Sequence, residues 1–171
     1  REPRARSALA ELLAETGHFD EARREYLAAS EQAPGSVRPA LGAHLLLPQV
    51  YASAAHLEQC RSQYAEGLEK LHEMAGRFRF ANGAKALAEL RWTNFYLAYQ
   101  GKDDLELQKR YGELLEPWSE ILDLVPDDIV EAYLADPEVA VSAFSVRHGR
   151  ERRHELLSLA EENLVSGLAQ D

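Results

Sequence analysis

An all-α fold, an antiparallel array of helices with a helical C-terminal cap, is what these 171 residues predict. Three observations carry that expectation. Residues 3–36 form a helical hairpin with small and bulky side chains at regular places. Leu57, Cys60, Tyr64, Leu68, Leu71 and Met74 recur at steps of three and four, which puts them on one face of a long helix. The remaining apolar segments are short and closed by Gly or Pro, with no visible partner strands.

In the hairpin, Ala8 to Thr16 is a short helix closed by Gly17, which can take the left-handed conformation that ends helices. Asp20 stands where a side-chain oxygen can cap a second helix. That helix runs through Tyr26 and Ala29 to Pro34, which stops it. Ala10 and Ala22 are small where the two helices must approach, and Phe19 and Tyr26 fill the space between them. Leu9, Ala10, Gly17, Phe19, Ala22, Tyr26, Ala29 and Pro34 fall at the landmark spacing of the tetratricopeptide repeat, which this hairpin resembles. The fold class expected is therefore a tetratricopeptide-like antiparallel helical array, a fragment of an α-solenoid. Arg6 replaces the usual Trp of the first helix and Leu13 replaces a Tyr. Arg6 can lay its aliphatic stem over the same place while its head reaches water or a partner. Ala8 and Glu11 stand where groove-lining asparagines often occur in that family. One such repeat cannot bury its apolar face alone and needs stacked neighbours.

Leu45-Leu46-Leu47-Pro48 is an apolar run broken by proline, with a turn expected after it. Ser53 is a good N-cap for a helix from about Ala54 to Ala75, closed by Gly76. Residues 77–85 interleave Arg77 and Arg79 with Phe78 and Phe80 and end at Lys85. Such a segment can stack a nucleobase or grip a phosphate; alternatively it is a connection with Phe inward and Arg in water. Trp92 to Gly101 is the most aromatic stretch and reads as helical. Asp103 or Asp104 then caps a helix bearing Leu107, Tyr111, Leu114 and Leu115, and Pro117 kinks it or starts another.

The run Leu47-Pro48-Gln49-Val50-Tyr51-Ala52-Ser53, with Arg61, Tyr64 and Leu68, resembles the segment after the repeats in bacterial SPINDLY-type O-linked N-acetylglucosamine transferases. Phe95 to Gln108 resembles a signature run of the same segment. With the hairpin, the resemblance spans roughly residues 3–118. It implies a parent that transfers a sugar to Ser or Thr of proteins, with repeats that select the substrate and a separate double-Rossmann region that does the chemistry. This chain continues instead with helical patterns to Asp171, so no catalytic residues have positions to be carried onto.

The domain organisation expected is a repeat at 3–36, a degenerate helical repeat or linker region at 37–125, and a C-terminal helical segment at 126–171. The last carries a basic cluster from Arg147 to His154, including Arg150 and Arg153, ahead of a final helix to about Leu168. The cluster reads as a solvated helix start, or as a docking point for a phosphate or an acidic partner, which the opposition of its cations to the helix dipole slightly favours.

A formal net charge of −10 argues against nucleic acid as a partner. Cys60 is the only cysteine, which excludes an intrachain disulfide and a cysteine zinc cage. No apolar run approaches a membrane span and no signal peptide opens the chain. These features point to a cytoplasmic protein, and the start at Arg1 points to a piece of a longer one. Lys is sparse beside plentiful Arg and Ala, which hints at a GC-rich bacterial source. Glu69 with His72 and Glu151 with His154 have the Glu-x-x-His spacing of di-iron bundles, but the first pair lies off the apolar stripe and Glu151 sits in a cation-rich first turn, so both read as solvated. Phosphate loops and nucleophile elbows are missing from the sequence. No catalytic, cofactor or metal residue is assigned.

The function expected is a protein-interaction scaffold, the substrate-positioning and non-catalytic part of a SPINDLY-like protein O-glycosyltransferase. Its partner is a protein or peptide, bound on the concave side of the array and at Arg77, Arg79, Lys85, Arg150 and Arg153. The alternatives are a stand-alone adaptor, a self-assembly module, or a small helical enzyme with a pocket of carboxylates or histidines.

Overall fold

The computed structural model describes residues 2–90, 92 and 94–118. Every regular element among these is helical: α1 (Pro3–Glu15), α2 (Phe19–Gln32), α3 (Val37–Leu45), α4 (Ala54–Met74), α5 (Gly83–Leu90), α6 (Phe95–Ala98) and α7 (Leu105–Leu115). Single 3-10 turns follow α4 and α7, at Ala75–Arg77 and Glu116–Trp118. The all-α expectation holds for the described residues. The expected C-terminal segment 126–171 and both Arg150 and Arg153 lie outside them.

Local chemistry sets the boundaries. Pro3 stands in the first turn of α1, where no backbone donor is needed. Gly17 has φ +83°; its N–H donates to Ala14 O at 3.1 Å and the His18 N–H to Leu13 O at 2.8 Å. This paired closure satisfies the last carbonyls of the helix and needs a left-handed residue in the middle. Asp20 does not cap α2. The cap position is His18, which makes no side-chain cap bond, and Asp20 and Glu21 act in the first turn, where negative charge suits the helix dipole. Ser53 does cap α4, accepting from His56 N–H at 3.1 Å.

Helix α3 is capped from a distance. Glu89 of α5 accepts from the Ser36 hydroxyl at 2.7 Å and from Val37 N–H at 3.0 Å. An anionic acceptor at a helix N-terminus is favourable on both counts, and it ties α5 to α3. Asn82 performs the ordinary capping for α5, accepting from Lys85 N–H at 2.9 Å.

Packing runs in chain order: α1 on α2, α2 on α3, α3 on α4, with α5 against α3 and α7 against α4. One apolar core extends from Ala10 to Trp118, with Tyr26, Leu41, Leu45, Tyr64, Leu68, Leu71, Leu97 and Leu114 almost wholly enclosed. Four of the six stripe residues of α4 are buried, and Leu57 and Met74 at its ends are half-buried. Two tyrosines of the core tie separate segments together. Tyr64 OH donates to Asn94 Oδ1 at 2.6 Å, and Tyr26 meets Trp92 edge to face at 6.2 Å, with the Arg38 guanidinium 5.3 Å from the Trp92 ring centre. Burial pushes the Tyr26 phenol up to about 12, with Glu11 adding to the rise.

Arg6 behaves as its amphipathic character predicts. Its head pairs with Glu25 of α2 at 2.7 Å, so the residue in place of the usual Trp clips α1 to α2 through charge.

His44 of α3 is half-buried, and burial first, then the charges of Lys70 and Arg23, lowers its pKa from 6.5. The folded protein thus favours the neutral ring. Its contribution to stability is complete above the unfolded value and is lost as pH falls below about 6.5, because the unfolded chain binds the proton more readily. Acidification from neutral towards pH about 5 should lower the melting temperature of the wild type more than that of His44→Gln, measured by circular dichroism. Equal slopes would remove His44 from the acid response.

Candidate functional site

The segments that pack around the first half of α4 leave an open cleft of ≈ 800 Å3. Its size falls within the range of about 300–1,000 Å3 typical of ligand pockets. One wall is the α1–α2 turn with the first turns of α2, from Ala14 to Arg23. The second is the loop Pro48–Ala52, and the third is the face of α4 carrying His56, Gln59, Cys60 and Gln63. Those four positions share a face because they lie three or four residues apart.

The turn wall exists because Gly17 reverses the chain abruptly, which brings His18 and Phe19 to the rim. The loop wall exists because Pro48 is buried while Gln49 and Val50 are exposed, Val50 to 81%. Hydrogen bonds hold that loop in place. Gln49 Nε2 donates to Tyr96 OH at 2.9 Å. Gln100, only 8% exposed, donates through Nε2 to Tyr51 OH and accepts through Oε1 from Arg61 at 2.7 Å. Arg61 also donates to the Asp103 carbonyl. The two runs singled out in the sequence, Leu47 to Ser53 and Phe95 to Gln108, are thus joined across the fold, and their junction is the support of one cleft wall.

Gln100→Ala removes both carboxamide bonds at a nearly enclosed position. The expected cost is about 1–3 kcal/mol, read as a lower denaturation midpoint, with faster amide exchange at residues 49–52. Unchanged exchange there would mean that the loop is held by other contacts.

At the floor, Arg23 donates from Nη1 to Gln63 Oε1 at 2.9 Å and from Nη2 to the Leu46 carbonyl at 2.9 Å. Its Nε is buried without a hydrogen-bond partner among the described residues. The guanidinium is therefore a structural tie between α2, α3's exit and α4.

The cleft does not assemble a nucleophile. Burial raises the Cys60 thiol above its ordinary value, with Asp20 adding and Arg23 offsetting. A thiol held protonated is a poor nucleophile. His56 Nδ1 accepts from Ala52 N–H at 3.1 Å and its ring packs edge to face with Tyr51, so the ring is tied into the loop. His18 Nδ1 lies 3.1 Å from the Thr16 hydroxyl. No group of three metal-ligating side chains occurs among the described residues. Glu69 pairs with Arg110 at 3.2 Å, and His72 sits 3.0 Å from the Arg110 carbonyl, which accounts for that Glu-x-x-His pair as surface structure.

Residues 77–85 lie away from the cleft. Phe78 is buried, Phe80 is half-buried, and both rings meet Trp118 edge to face at 5.8 and 5.7 Å. Arg77 and Lys85 are exposed, while the Arg79 guanidinium bonds to the carbonyls of Gly76 and Phe78 at 2.7 Å. The alternative of inward Phe and outward Arg describes this segment. Sequence reasoning missed Arg23, Gln59 and Gln63, which belong to no motif, and gave Gln49 no role of its own within the run Leu47 to Ser53. The available signal was the row His56, Gln59, Cys60 and Gln63, a second face of α4 beside the apolar stripe.

Among the described residues, fold and site define a helical array with an open, mixed polar and apolar cleft and no catalytic constellation. No helix among the described residues is long and apolar enough to cross a membrane. No protein-family model, curated protein or solved structure matches the chain.

Proposed function

We propose that this chain is a protein-interaction scaffold of tetratricopeptide type, the substrate-positioning and non-catalytic part of a SPINDLY-like protein O-glycosyltransferase. The observation that carries the interaction reading is the cleft. Three separate segments build it, a hydrogen-bonded network supports its loop wall, and an exposed Val50 stands at its rim. Ala10 and Ala22, both fully enclosed where α1 meets α2, and Gly17 at positive φ support the repeat assignment. The bonding of Tyr51 to Gln100 supports reading the two family-like runs as one unit. Binding is assigned to the cleft in preference to residues 77–85, whose aromatic side chains are turned to the core.

The test is a selection of random linear peptides displayed on phage against the immobilised chain. The reading expects enriched peptides that bind as synthetic molecules at one site per chain. A selection that enriches nothing above a heat-denatured control would remove it.

A further inference from the structure

We propose that the cleft takes an extended peptide segment in which an apolar side chain is flanked by Lys or Arg; this rests on the interaction reading above. Charge, shape and unused hydrogen-bonding capacity each contribute to the assignment.

Glu15, Asp20 and Glu21 line the α1–α2 wall. Glu15 and Asp20 are exposed and form no ion pair among the described residues, whereas Glu21 shares Arg24 at 3.4 Å. The cation of the cleft, Arg23, is engaged internally with Gln63 and the Leu46 carbonyl, so it does not offer its Nη donors to an incoming anion. Those partners are neutral, so Arg23 keeps its positive charge, but the carboxylates of Glu15, Asp20 and Glu21 outnumber it and the cleft lining is net negative on a chain whose formal net charge is −10. That field attracts cationic segments and repels polyanions such as nucleic acid or a phosphorylated tail.

The apolar elements of the lining are Val50 on the loop, 81% exposed, and Phe19 on the α1–α2 wall, half-buried. An aliphatic side chain seated against them would be removed from water. The α4 wall supplies carboxamides. Gln59 is exposed, and Gln63 uses only its Oε1 for Arg23, leaving its amide donors. Carboxamides carry a donor and an acceptor on one group, which suits the alternating N–H and C=O of an extended backbone. A helical segment has already satisfied those groups internally and would leave the glutamines unmatched.

The test uses fluorescein-labelled synthetic peptides with a common Val-Leu centre, flanked by Lys, by Ser or by Glu, titrated against the full chain by anisotropy. The Lys-flanked peptide is expected to bind on the order of tenfold tighter than the Glu-flanked one, with affinity falling as salt rises. The double variant Glu15→Gln/Asp20→Asn should erase that preference with unchanged helix content, and Glu73→Gln, exposed near the far end of α4, should leave it intact. Equal binding of Lys-, Ser- and Glu-flanked peptides, or tighter binding of the Glu-flanked one, overturns the charge assignment while the interaction reading stands. An equal effect of Glu73→Gln overturns the cleft as the source of the preference. If peptides from the display selection bind but none of this panel does, the cationic-apolar class is wrong; if neither set binds, the interaction reading fails with it.

Discussion

Gly67→Ala should destabilise the chain by about 3 kcal/mol or prevent it from folding. A Cβ at Gly67 would lie 2.3 Å from the carbonyl oxygen of His44 and 2.9 Å from its carbonyl carbon. Both are backbone atoms near the end of α3, so no rotamer change relieves the contact. The only relief is to part α3 from α4, and that opens the core at Leu68 and Leu71, which are fully enclosed. The effect opposes propensity, because Ala is the better helix former by about 1 kcal/mol. Gly76→Ala is the control: a Cβ there meets nothing within 4 Å. Urea denaturation followed by circular dichroism checks both. A Gly67→Ala midpoint equal to that of the wild type would mean that α3 and α4 are not in the described close approach.

The second large effect is expected at Tyr26, 2% exposed between α2 and α3. Its ring is the surface against which Gly42 packs, with a Cβ at Gly42 falling 2.5–2.6 Å from three ring carbons. The ring also meets Trp92 edge to face. Tyr26→Ala should cost about 3–5 kcal/mol, the range for emptying an aromatic site in a core. Gly42→Ala alone should also destabilise, by about 1–3 kcal/mol, because the ring atoms it meets are close to the backbone and cannot swing away. The pair tests the geometry. Once the ring is gone, the added methyl enters vacated space, so the double variant should be less damaging than the sum of the singles. Strict additivity would contradict direct packing of Gly42 on Tyr26.

Much of this fold is legible in residue pattern. Gly17 and Ser53 perform the ending and capping roles that their chemistry predicts, and the stripe from Leu57 to Met74 describes the buried side of α4. Helix α3 is not legible, for a physical reason. Seven of its nine residues are buried, so it has no polar face and no period to read, and its N-terminal cap comes from Glu89, far away in sequence. Helix α5 begins at Gly83, inside the basic and aromatic residues 77–85, and is capped by Asn82, a residue of no prior distinction. Among its described residues, the aromatic stretch from Trp92 to Gly101 holds one helical turn, Phe95–Ala98. Trp92 and Asn94 stand outside it, where they meet Tyr26 and Tyr64.

The cleft was the least legible feature. A sequence presents Gln49, Gln59 and Gln63 as ordinary surface residues, and only the packing of the α1–α2 turn beside the Pro48–Ala52 loop brings them around a common space. Arg77, Arg79 and Lys85 were conspicuous because cations alternate with aromatics. Their conspicuousness reflects two inward Phe side chains with outward neighbours, a pattern that a connecting segment produces on its own.

The central claim is that the chain binds peptide through this cleft. Its most direct test is the affinity of one display-selected peptide for Val50→Glu and for the double variant Arg77→Glu/Arg79→Glu, each checked for wild-type helix content. The claim predicts that Val50→Glu abolishes or shifts binding at least tenfold, on the order of 1.4 kcal/mol, while the Arg77 and Arg79 change leaves it as it was. Binding that survives Val50→Glu and is lost with Arg77 and Arg79 would contradict it and move the interaction surface to the basic and aromatic segment.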